Sequence, residues 1–195
     1  MKSTILMPLR HAQILKTARE IASDFLEQEG GFPMQVVIFG VGTMVCLEGV
    51  FSEGEGGAVE KDDFATVIRA TAQLEQAHAI AYLSEGWAGS PGWGGAPSAD
   101  PNRTEVVVIG VETHEGSSRV VHQISRASDS QATLGRETSR HFEDISERTF
   151  NARFACLLPT PDELRDDDRT ELARAYLSIV QPLNCSAQGG AGTIH

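Results

Sequence analysis

Clustered basic residues are what this sequence lacks first. Its 195 residues carry 16 Lys and Arg against 27 Asp and Glu, a formal net charge of −11. Taken in segments, the charge is 0 over 1–32, −5 over 33–65, −2 over 66–102, −1 over 103–158 and −3 over 159–195. A nucleic-acid binder needs Lys and Arg gathered where they displace counterions from phosphates. The scattered Arg residues from Arg103 to Arg153 are outweighed by acids in the same stretch, so direct nucleic-acid binding is not expected. Cysteine is also scarce: Cys46, Cys156 and Cys185 are an odd set with no CxxC spacing, which excludes a disulfide framework and a structural zinc motif. Cys46 and Cys156 sit in apolar, strand-like runs and read as buried packing residues. No run approaches the roughly 18 apolar residues of a membrane span. The short apolar stretch Ile5–Leu9, broken by Pro8, is too little for a secretory leader, so a cytoplasmic protein away from membranes is expected.

Motifs of catalysis are missing as well. Gly40-Val41-Gly42 follows a strand-like run but leads into another, Met44-Val45-Cys46-Leu47, where a dinucleotide site requires a helix N-terminus. Ala88-Gly89-Ser90-Pro91-Gly92 approximates a nucleophile elbow, yet Pro91-Gly92-Trp93-Gly94-Gly95 cannot continue as the helix that an elbow needs, and Ser90 reads as a loop serine. There is no HExxH among the six His residues, and strand alternation puts His114 and His122 on opposite faces, so neither metal nor cofactor is expected.

What is present is a set of periodic segments. Ile14, Leu15, Ala18, Ile21, Ala22, Phe25 and Leu26 line one stripe of a helix over 9–29, ended by Gly30-Gly31. Gln35–Phe39 and Met44–Val50 predict a hairpin around Gly40–Thr43. Past the acidic, glycine-rich stretch 52–57, a second amphipathic helix is expected over 61–77, then a strand at Ala79–Leu83. Residues 88–102, with four Gly and three Pro, read as irregular. Thr104–Val111 and Arg119–Arg126 form a hairpin which, with Glu115 opposite Ser118, gathers Val107, Ile109, Val111, Val120, His122 and Ile124 on a core face. Residues 128–147 read as loop with a short helix near 139–145, and Phe150–Leu158 as a closing strand. Thr160-Pro161-Asp162-Glu163 carries a capping box for a terminal helix docked by Leu172, Tyr176, Ile179 and Val180.

The order α-ββ-α-βββ-β-α predicts an α+β domain over 1–183 with a flexible tail at 184–195. Its single, mostly antiparallel sheet of about five to six strands carries two amphipathic helices on one face and a C-terminal helix.

The segment from Ser84 to Glu105 stands out as a site. A strand end (Ser84, Glu85, Trp87) is joined to the next strand start (Arg103, Glu105) by a long loop holding Trp93, and loops of that length are functional or disordered. Glu85 and Arg103 are placed to pair; the structural alternative has that pair tying the loop base and Trp87 in the core. A Ser-Glu-x-Trp element, then Pro97-Ser98, Pro101, Arg103 and Glu105 entering a Val-rich strand, resembles a group of uncharacterised short bacterial and phage-associated proteins. That resemblance implies that the loop-base residues belong together and a phage or mobile-element origin; it implies no activity.

The expected function is a non-catalytic binding or assembly module. Its contact surface would be this loop or the mixed sheet face of Glu112, His114, Arg119 and Gln123, and its partner another protein or a second copy joined at a strand edge. Two alternatives stand beside it. One is a small hydrolase-like enzyme with a pocket under the loop and Glu85 as acid or base. The other is an acidic inhibitor or nucleic-acid mimic, which needs the carboxylates of 53–63 and 162–171 in one stripe.

Overall fold

Helix α1, Leu9–Glu29, buries Leu15, Ala18, Ala22 and Leu26 along the stripe read from its sequence. It stops at Gly30, whose N–H still bonds the Leu26 carbonyl at 3.0 Å and whose φ of 71° then turns the chain out of the helix. The computed structural model describes residues 9–51, 55–128, 131–144 and 156–185. After α1 come β1 (Met34–Phe39), β2 (Met44–Gly49), α2 (Glu55–Leu74), β3 (Ala79–Ala88), β4 (Thr104–Thr113), β5 (Gly116–Ser128) and β6 (Gln131–Asp144). A one-turn helix α3 (Pro161–Leu164) and α4 (Asp167–Cys185) follow. The fold is α+β in the order expected, with a six-stranded sheet β2-β1-β3-β4-β5-β6 in which every neighbouring pair is antiparallel.

The helices do not share a face, which corrects the expected one-sided packing. Alternate residues of β1 separate the two cores: Val37 and Phe39 join α1 together with Ala79, Ala81, Leu83, Val107 and Ile109. Val36, Ile38 and Ile80 join Ile68 and Ala72 of α2. A central strand buried on both sides explains why Val36–Phe39 is an unbroken apolar run rather than an alternating one. Helix α4 packs outside α2 through Ala173 and Leu177 against Ala70. Its docking stripe is thus Ala173, Tyr176, Leu177 and Val180; Leu172 and Ile179, expected to dock, are exposed.

Three segments differ from expectation. Helix α2 begins at Glu55, inside the stretch read as a loop, so helix propagation outweighs the cost of about 1 kcal/mol that each glycine imposes. Residues 131–144 are strand β6, not loop and helix; register shifts at Val121/His122, His122/Ile124 and Arg126/Ser128 reset the alternation that identifies a strand. The expected closing strand at 150–158 falls outside the described residues up to 155, and 156–158 are not strand. The tail expected from 184 begins later, because α4 runs through Cys185, and 186–195 lie outside the described residues.

The β4–β5 hairpin turns at His114-Glu115, with Thr113 opposite Gly116, so Val107 faces His122 rather than Arg126. An even offset leaves each residue on its expected side. His122 is buried, with Nδ1 3.0 Å from the Gly135 carbonyl, so that nitrogen carries the proton. The capping box forms in full: the Thr160 hydroxyl accepts from the Glu163 N–H, and the Glu163 carboxylate accepts from the Thr160 N–H.

Candidate functional site

Strand β3 runs through the proposed site rather than ending before it. Ser84–Ala88 pairs with Val108–Thr104, placing Trp87 opposite Glu105 and Glu85 opposite Val107. Alternation sends Glu85, Trp87 and Glu105 to the α1 side of the sheet and Ser84 to the other. The expected Glu85–Arg103 pair does not form. Glu85 meets Arg126 at 3.2 Å and accepts the Phe32 N–H at 2.8 Å. Arg126 also donates to Glu105 through Nε and to the Gly30 carbonyl through Nη1. One guanidinium at the end of β5 therefore ties β3, β4 and the α1–β1 turn. The reason is register: with His122 rather than Arg126 opposite Val107, Arg126 lies four residues further along β5, beside the start of β4.

Arg103 turns instead onto Trp87, its guanidinium carbon 4.3 Å from the ring centroid, and donates to the Ser98 carbonyl at 2.9 Å. Trp87 is not core: it is 40% exposed, and Trp93 is 43% exposed. The loop that holds Trp93 is built around Asp100, which is fully buried. Its carboxylate accepts the Ser90 N–H at 2.5 Å, the Ser90 hydroxyl at 2.6 Å and the Asn102 N–H at 2.8 Å. Further bonds run from Trp93 N–H to Ser90 O (3.1 Å), from Trp93 Nε1 to Ala96 O (3.0 Å) and through a 3₁₀ turn at Pro97–Ala99. The sequence read as irregular is thus a bonded, defined loop.

The Ser90 hydroxyl, then its N–H, hold the Asp100 carboxyl below the usual carboxylate range, with Asn102 N–H and Arg103 assisting against the cost of burial. A carboxyl depressed by folding contributes stability that is complete above its unfolded pKa of about 4 and is lost as pH falls through the folded value. Asp100→Asn is therefore expected to lower Tm by roughly 5 °C at pH 7 and to flatten the loss of Tm as pH falls below about 4. Thermal unfolding at several pH values checks both; an unchanged acid limb would remove Asp100 as the loop's organiser. The same bonds bear on Ser90 chemistry. Its hydroxyl is committed to a carboxylate of low basicity, the reverse of the base that a nucleophilic serine requires.

The second candidate set divides. Glu112 is buried, accepts the Leu157 N–H at 3.2 Å and lies 3.4 Å from the Tyr82 hydroxyl, so it holds the 156–158 segment to the sheet. His114 lies half-buried in the hairpin turn. Arg119, exposed, and Gln123, half-buried, stay on the sheet face opposite α1. Cys46, expected in the core, is exposed on edge strand β2, because its side of the strand lies beyond the reach of α1; its thiol donates to Gln35 Oε1 at 3.3 Å. Cys156 is half-buried with a φ of 59°, outside any strand.

Sequence reasoning did not single out Arg126, Asp100 or His11. The Asp100-Pro101-Asn102 turn carries a signal, since an Asp side chain often accepts the N–H two residues on. Among the described residues no group of three or more His, Cys, Asp or Glu is placed to hold a metal, and no helix is long and apolar enough to cross a membrane. Comparison with protein-family models, curated proteins and solved structures finds no match.

Proposed function

We infer that this chain is a non-catalytic binding module that presents the Ser84–Glu105 region to a protein partner. One observation carries the reading: Trp87 and Trp93 stay two-fifths exposed on a backbone fixed by Asp100, beside an Arg stacked on one of them. Tryptophan and arginine dominate binding hot spots, and a loop ordered in advance loses little entropy on association. The partner segment that fits is apolar, to cover the indoles, with a carboxylate or carbonyl to meet Arg103.

The enzyme reading has less support, since both oxygens of Glu85 are engaged by Phe32 and Arg126. The acidic-mimic reading also loses ground. Helices α2 and α4 pack antiparallel: Gln73 bonds Thr170 at 3.1 Å, while Asp63 acts on Tyr176. Glu60, Asp62 and Asp63 of α2 and the acids of 162–171 therefore lie towards opposite ends of the pair, roughly 10–20 Å apart along the axis. Arg69 and Arg169 further neutralise Glu163. The likeness to phage-associated proteins directs the search for a partner to mobile-element and cytoplasmic proteins.

Peptides selected from a random display library against the folded chain supply the test. Trp87→Ala and Trp93→Ala are each expected to weaken selected binders at least about tenfold while moving Tm by under about 2 °C. Binders indifferent to both substitutions would overturn the reading.

A further inference from the structure

The sheet has two edges, and only one is guarded. Strand β6 carries Arg136, Glu137, Arg140 and Glu143, and its register is broken repeatedly. Charges and bulges of this kind keep an edge from pairing with another chain. Strand β2, Met44-Val45-Cys46-Leu47-Glu48-Gly49, has no Lys or Pro and pairs with β1 in unbroken register from Met34 to Phe39. Among the described residues nothing pairs with its outer side. Large apolar side chains lie exposed along it, Val41 (78%) in the turn before the strand, Met44 (58%) at its start and Val50 (66%) just past its end.

We propose that β2 pairs antiparallel with β2 of a second copy of this chain across a twofold axis at Cys46, continuing the sheet through two protomers. The pairing phase leads to that register. The Gly40 N–H bonds the Thr43 carbonyl, so bonded pairs alternate from there: Val45 and Leu47 direct their N–H and C=O to β1, while Met44, Cys46 and Glu48 direct theirs outward. An axis at Cys46 sets Met44 against Glu48 of the partner subunit and Cys46 against Cys46 of the partner subunit. Every outward N–H and C=O within the strand then meets an outward group. Moving the axis to residue 45 or 47 leaves Glu48 or Met44 without a strand partner.

The side chains agree with the backbone. On the α1 side, the Cys46 register keeps the two Glu48 carboxylates apart. On the other side, Val45 and Leu47, already packed against the α2 core, meet Leu47 and Val45 of the partner subunit and extend that apolar layer. The turn bearing Val41 comes to the Val50 end of the other copy, covering the exposed apolar side chains. The self-association goes beyond the loop reading and does not depend on it.

Sedimentation equilibrium of the full chain is expected to show a dimer with a dissociation constant on the order of 1–100 μM, as suits a small interface. Amide exchange followed residue by residue is expected to slow with protein concentration at Met44, Cys46 and Glu48 but not at Val45 and Leu47. Cys46→Lys and Cys46→Glu are each expected to weaken the dimer at least about tenfold by setting like charges face to face, and an equal mixture of the two restores it. Trp87→Ala and Trp93→Ala leave the dimer intact. A monomer throughout the concentration range, or exchange at Met44, Cys46 and Glu48 that ignores concentration, would overturn the proposal.

Discussion

Replacing His11 with alanine is expected to lower the unfolding free energy by about 3 kcal/mol, and Tm by roughly 6–12 °C. His11 is fully buried near the start of α1, with Nε2 2.7 Å from the Ser118 hydroxyl and Nδ1 3.1 Å from the Thr113 hydroxyl. The edge of one ring meets the face of the other, since His11 and Phe142 of β6 stand at 89° with centroids 5.2 Å apart. One side chain thus fastens the first helix to three consecutive strands at their turn end. Each net hydrogen bond contributes about 1 kcal/mol, and the cavity left by the ring adds a further amount of similar size. Thr113 keeps its contacts with Gly116 and Glu115, whereas the buried Ser118 hydroxyl loses its imidazole partner. Lys16→Ala on the same helix removes only an exposed pair with Glu20 and is expected to cost under about 0.5 kcal/mol. Urea unfolding of both variants measures the contrast. A loss under about 1 kcal/mol for His11→Ala would show that α1 is held by its aliphatic stripe alone.

His11 also marks where the sequence was readable and where it was not. The stripe Leu15, Ala18, Ala22 and Leu26 is periodic and apolar, so α1 could be placed to the residue; His11, four before Leu15, continues the stripe but is polar, and hydropathy passes over it. The β4–β5 faces were legible for the same reason, because alternation survives an even error in register. Strand β6 was not, since its apolar positions Ala132, Leu134 and Phe142 are separated by bulges and by Glu137 and Arg140. Which face each helix takes was equally hidden. Nothing local in Val36–Phe39 says that its two sides are buried by different helices; only the burial pattern of the assembled sheet does.

In the 84–105 region, local grammar placed the strands and the loop between them but assigned Glu85 the wrong partner. Strand end, long loop and strand start were legible from glycine, proline and the Val-rich run. The internal order of the loop was not, because it depends on Asp100 accepting donors ten and two residues away, Ser90 and Asn102. Glu85 and Arg103 looked like partners because they flank the same loop. Arg126 is forty-one residues from Glu85 and reaches it across β4, from the end of β5 that the observed register carries beside the loop base.

Arg126→Gln is therefore expected to cost about 2–3 kcal/mol, against under about 0.5 kcal/mol for Arg103→Gln. Arg126 is 27% exposed at its side chain and bonds Glu85, Glu105 and the Gly30 carbonyl together. Removing it leaves two carboxylates on adjacent strands without their shared cation, and frees the carbonyl at the end of α1. Partial exposure moderates the loss, so the cost shrinks in 1 M NaCl, where the Debye length is about 3 Å. Arg126→Lys keeps the charge but cannot span three acceptors, and about half the loss is expected to remain. A double-mutant cycle assigns the coupling directly: about 1 kcal/mol or more between Glu85 and Arg126, and close to zero between Glu85 and Arg103. The reverse assignment would make the Glu85–Arg103 pair the loop's base and withdraw Arg103 from any partner. With the coupling at Arg126, folding leaves the Arg103 guanidinium stacked on an exposed indole, and Arg103→Gln should spare stability while weakening whatever binds Trp87.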